Sequence, residues 1–112
     1  MRWLEGRGYT LLERGYRTRF GEIDIIVSRD SVVAFVEVKL RNHHYFDLSQ
    51  VITLSKQRKI IKSAHAFIAR NCSHLKNYTF RFDVALIEVA HDQPQLTYLP
   101  HAFTDQHGNS WY

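Results

Sequence analysis

Apolar residues recur along this chain with two different periods, and the change of period divides it into elements. Residues 20–41 read FGEIDIIVSRDSVVAFVEVKLR. Two runs rich in Val, Ile and Phe, residues 20–27 and 32–39, predict strands, and the SRDS between them predicts the turn of an antiparallel hairpin. Over 53–70 the period becomes helical. Leu54, Ile60, Ile61, Ala64, Phe67 and Ile68 fall near one stripe, and Lys56, Lys59 and Lys62 near another, with Arg58 at its edge. Thr53 or Ser55 would cap this helix. Residues 78–90, YTFRFDVALIEVA, predict a further strand, HDQPQ a turn, LTYLP a short last strand and HAFTDQHGNSWY a tail. At the other end, Trp3 and Leu4 read as the last turn of a helix stopped by Gly6 or Gly8. A fuller first helix is therefore expected upstream of Met1 in the native protein or its relatives. YTLLERGYRTRF follows as a short strand or extended segment with a turn at Gly15, and NHHYFDLSQ, residues 42–50, reads as loop.

A helix of this length between strands of one sheet suggests a βαβ crossover. The expected architecture is α/β: a mixed sheet with an antiparallel hairpin and a crossover helix. The 112 residues suffice for one domain with one core, spanning 1–112.

Charge complicates this pattern. Glu22, Asp24, Glu37 and Lys39 interrupt the apolar runs of the hairpin. Strand alternation puts Glu22, Asp24 and Ile26 on one face, together with Phe35, Glu37 and Lys39. Ile23, Ile25, Val27, Ala34, Val36 and Val38 take the other face, which is wholly apolar and must be covered. Pairing Val27 with Val32 puts Asp24 opposite Phe35 and Glu22 opposite Glu37. Asp24 and Glu37 then become diagonal neighbours, with Cα atoms about 7–8 Å apart. A slip of one residue would separate them onto opposite faces.

Crowded carboxylates repel one another unless a cation or protons neutralise them. Mg²⁺ or Mn²⁺ takes oxygen ligands, often one or two carboxylates with water and phosphate. Asp24 and Glu37 suit that role, with the backbone carbonyl of Val38 as a third donor. Lys39 can hold a water or stabilise charge on a phosphate, and together these groups point to attack on a phosphodiester. An E-x-K triplet alone is an ordinary exposed strand pattern; the conjunction with Asp24 and a lysine-rich helix is what gives it weight. Glu22 and Asp83 read as structural, Glu22 offsetting a basic neighbour and Asp83 pairing with Arg81 or Arg19.

Composition sets outer bounds. Lys and Arg exceed Asp and Glu by 15 − 11 = 4, and the isoelectric point is about 9.4, which permits a polyanionic partner. Arg17, Arg19, Arg41, Lys56, Arg58, Lys59 and Lys62 are candidates for a basic rim on nucleic-acid phosphates, with Gln57 reaching a phosphate from the helix start. The same helix face also reads as a solvated one. Tyr45 and Phe46, beside His43 and His44, would stack on bases or anchor their loop. The single cysteine, Cys72, allows no intrachain disulfide, and the seven histidines show no helical zinc spacing. No apolar run approaches the roughly 20 residues of a membrane span, and the N-terminus lacks a signal-peptide layout. A cytoplasmic protein without a membrane partner is expected. A homodimer is a candidate, with Phe103, Trp111 and Tyr112 of the tail as its contact.

The segments RFGEIDII, VVAFVEVKLR, ITLSKQRKIIKSAHAFI and FRFDVALIEV, down to YLPHAF, resemble in order and spacing the YraN-type family of small, largely uncharacterised bacterial proteins. That family is assigned to the PD-(D/E)XK, or restriction-endonuclease-like, superfamily and is similar to archaeal Holliday-junction resolvases. The resemblance implies an αβββαβ core, here with its first helix largely missing. It implies the motif Asp24, Glu37, Lys39 and Mg²⁺-dependent cleavage of DNA, branched or structured DNA included. Two departures stand out. The acid that relatives carry on a longer first helix is absent, Glu5 being a poor substitute by position. The Glu expected after a Gly-containing segment beyond the EVK triplet is replaced at about that place by Gln50. The residues leave three readings open: a metal-dependent nuclease, a non-catalytic nucleic-acid-binding module, and a protein-interaction domain.

Overall fold

The computed structural model describes residues 1–41, 52–90 and 93–105. The expected loop 42–50 with Tyr45, Phe46 and Gln50, and the tail residues Trp111 and Tyr112, lie outside these. The elements are α1 (Arg2–Gly6), β1 (Thr10–Thr18), β2 (Gly21–Arg29), β3 (Val32–Arg41), α2 (Leu54–Arg70), β4 (Thr79–Ala90) and β5 (Gln93–Phe103). The five strands form one mixed sheet in the order β1-β2-β3-β4-β5. β3 and β4 pair in parallel through the α2 crossover, and the other neighbours are antiparallel. The α/β reading with its hairpin and crossover helix therefore holds.

Three expected details change. The turn is tighter than SRDS: Arg29 pairs with Val32, leaving only Asp30 and Ser31 between the strands. Both have positive φ, 51° and 63°, as a two-residue hairpin turn matched to strand twist requires. The register therefore moves by two residues from the expected one. Val27 pairs with Ala34 and Ile26 with Phe35. A shift of two preserves the faces, so Asp24 falls level with Glu37 instead of Phe35. Gly15 does take a left-handed backbone (φ 61°), but within the nine-residue β1, which continues on both sides of it. β5 runs for 11 residues, not the five of LTYLP. Its outward-facing positions carry little apolar periodicity because it is an exposed edge strand held by the β4 ladder.

Alternation also fails inside β2. Ile23 and Ile26, three positions apart, both enter the core beneath α2, so Ile23 does not join the opposite face as expected. Gly15 stands across β1 from this break, between the pairs Arg14–Ile25 and Tyr16–Ile23. The α2-side core joins Ile23, Ile26, Val33, Phe35, Phe82, Val84 and Leu86 to Ile60, Ile61, Ala64, Phe67 and Ile68. Leu54, expected in that stripe, is exposed, while Gln57 and Ser63 are buried in it. The other sheet face, with Val27, Ala34, Val36 and Ala85, packs on Leu4 and Tyr9 and is flanked by Trp3, Ile25, Val38 and Tyr98. Phe103 is buried beside Phe82 and so belongs to the core, not to a free tail contact.

Asp83 is fully buried in β4. It accepts from Arg81 Nη2 (2.8 Å), from the Tyr98 hydroxyl and from the His101 amide (3.1 Å), while Arg81 also reaches the Tyr9 hydroxyl. Its pairing with Arg81 is the structural role expected of it. This network ties β5 and the segment after α1 to the sheet. We predict that Asp83→Ala costs about 3–5 kcal/mol in urea unfolding, because it leaves a buried guanidinium without its counter-ion. A loss under about 1 kcal/mol would show that the network does not hold these elements.

Candidate active site

β2 and β3 stop pairing at Ile25 and Val36. A continued ladder would next join Ile23 to Val38. Instead the Val38 amide donates to Asp24 Oδ2 at 2.8 Å. The carboxyl thus takes the place of a ladder carbonyl and lies at the seam between the strands. N–H and C=O of one residue point to the same side of a strand. The Val38 carbonyl is therefore directed to the same seam as Asp24.

Glu37 follows on β3 and points beneath the start of α2. Its side chain is only 5% exposed. Burial is the largest cause pushing its pKa up from 4.5 to about 7, and the Asp24 carboxyl adds to it through a hydrogen bond and like charge. Lys56 and Lys39 oppose the shift. Lys56 Nζ stands 3.5 Å from Glu37 Oε2. The helix cap sets this position: Thr53 Oγ1 accepts from the Lys56 amide at 3.2 Å and fixes the first turn of α2 above the end of β3. Lys39 is half-buried two residues beyond Glu37 on the same strand.

Asp24, Glu37 and Lys39 are thus brought together. Lys56 is a fourth member, although its place in the helical lysine row points to phosphate binding. Its position in the first turn after β3 is the one clue in the sequence to this contact. Glu22 does not join them. The break in β2 turns it toward Arg17, whose Nε lies 3.8 Å from its Oε2. The expected cluster of three carboxylates is therefore a pair, and the described residues hold no group of three or more His, Cys, Asp and Glu able to share a metal ion.

The basic rim divides. Gln57 is buried, and its amide donates to the Ile52 carbonyl at 3.1 Å, so it is not free to reach a phosphate as expected. Arg58, Lys59 and Lys62 are exposed on α2, and Arg41 is half-buried at the end of β3. Lys62 Nζ and the Arg19 guanidinium both lie over the Phe20 ring, 5.6 Å and 4.9 Å from its centre. Lys59 passes Gly21. Lys56, Lys59 and Lys62 recur every three residues, a row about 9 Å long by helix rise. It leads from the carboxyl pair to the β1–β2 turn.

The model of a family described as "Uncharacterised protein family UPF0102" matches residues 1–87. A UPF0102 protein of Alkaliphilus metalliredigens is 39% identical over 102 residues, covering 90% of this chain and 87% of the relative. One from Treponema pallidum (strain Nichols) is 39% identical over 110 residues, covering 93% and 85%. One from a Sulfurihydrogenibium species is 42% identical over 105 residues, covering 93% and 86%. No helix among the described residues is long and apolar enough to cross a membrane.

The raised Glu37 pKa has a definite sign in stability. The folded state holds the Glu37 proton more tightly than the unfolded chain does. This contribution is fully present below pH 4.5 and is lost as pH rises through about 7. We predict that, without divalent cations, wild type loses on the order of 3 kcal/mol relative to Glu37→Gln between pH 4.5 and 8.5. Urea unfolding of both proteins across that range tests this; parallel pH profiles would refute it.

Proposed function

We propose that this chain, which belongs to the UPF0102 family, is a metal-dependent endonuclease of the PD-(D/E)XK superfamily that hydrolyses phosphodiester bonds in DNA, branched or structured DNA included. The observation that carries the reading is the hydrogen-bonded Asp24–Glu37 carboxyl pair at the β2–β3 seam, with Lys39 beside it. On this reading residues 1–112 make one nuclease-like domain of restriction-endonuclease-like topology, working in the cytoplasm, with a homodimer as its candidate assembly.

The donors fit Mg²⁺ or Mn²⁺. All are oxygens, and burial, with the neighbouring Asp24 carboxyl, pushes the Glu37 pKa up to about 7, so a cation shared by the two carboxyls would be favoured there. Asp24, Glu37 and the Val38 carbonyl would hold the ion. When bound, it would polarise a phosphoryl oxygen and acidify a water. The protein's own part is positional. The Val38 amide orients Asp24, Lys56 offsets the charge of Glu37 when no ion is present, and Lys39 holds the attacking water or the developing charge on phosphate. Arg19, Lys59 and Lys62 would contact backbone phosphates without reading bases.

A second reading has its own support. Only two carboxyls meet here among the described residues, which suits a nucleic-acid-binding module that retains the fold without turnover. Cleavage of duplex, flap, four-way-junction and single-stranded DNA with Mg²⁺ and with Mn²⁺ separates the two. We predict that wild type cuts at least one of these. Lys39→Ala should lose cleavage yet bind nearly as well, and Asp24→Ala should lose both cleavage and metal uptake. Binding without cleavage under either metal would favour the module, and undiminished cutting by Asp24→Ala would remove the assigned site.

Salt tests the rim. The logarithm of DNA affinity should fall linearly with the logarithm of salt concentration, and replacing both Lys59 and Lys62 with Ala should flatten the slope by about 2. Affinity indifferent to salt would favour a protein partner.

A further inference from the structure

On the sheet face opposite α2 lies a pocket of about 370 Å³ that the proposed cleavage chemistry does not use. Its volume falls in the range of about 300–1,000 Å³ typical of small-ligand sites. The walls are apolar, formed by Trp3, Leu4, Val36, Ala85 and Tyr98 among others, and the polar side chains are Asp24 and Arg14. Trp3 and Tyr98 stack at 4.9 Å, and Arg7 lies 3.7 Å from the centre of the Trp3 ring. Tyr98 is fixed in turn by the buried Asp83. Trp3 thus has Tyr98 on one face and Arg7 on the other, so this wall is braced before any ligand arrives and Tyr98 is the ring left to meet one.

Asp24 belongs to both this pocket and the carboxyl pair. Its carboxyl sits at the seam where the β2–β3 ladder opens, reached from Glu37 on one face and from the pocket on the other. A group held in the pocket would thus lie within a nucleotide's reach of a phosphate held at the pair. The chemistry that suits these walls is a flat, uncharged ring with hydrogen-bonding edges, attached to an anionic backbone. Tyr98 takes the ring face, and Arg14 faces the backbone. We propose that the pocket receives one unpaired or extruded nucleobase of the DNA strand bound at Asp24 and Glu37. This rests on the nucleic-acid reading above and adds that the substrate is single-stranded, or opened, at the site.

Two measurements on the full chain test it. The first compares affinity for a single-stranded DNA of mixed sequence with that for an abasic strand of the same length and charge. Stacking of one base on aromatic side chains predicts about a tenfold loss for the abasic strand. Ala85→Leu, which fills the pocket, should reduce that ratio toward one and leave the salt slope unchanged. The second needs no variant: a strand carrying 5-iodouracil, irradiated on wild type, should cross-link to Tyr98, as read by peptide mass spectrometry. Cross-links confined to Phe20 or other surface residues would overturn the proposal even if Ala85→Leu fails to fold. Binding that is equal for both strands would overturn the pocket alone. Failure to bind either strand would remove the nucleic-acid reading, and the base pocket with it.

Discussion

One hydrogen bond organises the site: the Val38 amide to the Asp24 carboxyl. β3 continues past the point where β2 leaves it, and its next seam-facing N–H would otherwise lack a ladder partner. A buried amide without an acceptor costs about 1–3 kcal/mol. The Asp24 side chain meets that need, and in doing so it is held at the seam, level with Glu37. Strand divergence and carboxyl placement are thus one event. The tight Asp30–Ser31 turn sets the register that makes them coincide, and the left-handed Gly15 sits across β1 from the break in β2.

The cost of that placement falls on Glu37. It is buried under the first turn of α2, beside another carboxyl, with Lys56 only partly offsetting the charge. Such an arrangement stabilises the protonated acid and weakens the fold once the proton leaves. A divalent cation would reverse this balance by replacing the proton with positive charge that both carboxyls share. On the proposed reading, this local cost is what a bound cation would relieve. It is also why Asp83, equally buried, reads differently: Arg81, Tyr98 and the His101 amide already satisfy it.

Much of this is legible from residue pattern. The change from period 2 to a helical period locates β2, β3, α2 and β4, and face parity is the reason the pattern gives for expecting Asp24, Glu37 and Lys39 together. They do meet, but through strand divergence: Asp24 lines the other face with Ile25, Val36 and Val38, and its carboxyl meets Glu37 at the open seam. What pattern cannot supply is local and three-dimensional. Nothing in the order of residues shows that β2 breaks alternation near Asp24, which sends Glu22 to Arg17 and Ile23 under α2. Gln57 reads as a phosphate donor because polar residues are usually exposed on helices; its amide is consumed by the Ile52 carbonyl. The full length of β5 is hidden because an edge strand held by backbone pairing needs little apolar periodicity.

The Asp24–Glu37 pair is, on this view, a cation site whose charge is balanced by a proton when no ion is present. NMR titration of protein labelled with ¹³C at the glutamate carboxyl tests it directly. Without divalent ions the Glu37 resonance should titrate with a midpoint near pH 7. With millimolar Mg²⁺, the midpoint should fall toward the ordinary glutamate range near 4.5, and Asp24→Ala should abolish the response to the ion. A midpoint already near 4.5 in the absence of metal, or one near 7 that Mg²⁺ leaves unmoved, would be incompatible with a cation site at this pair.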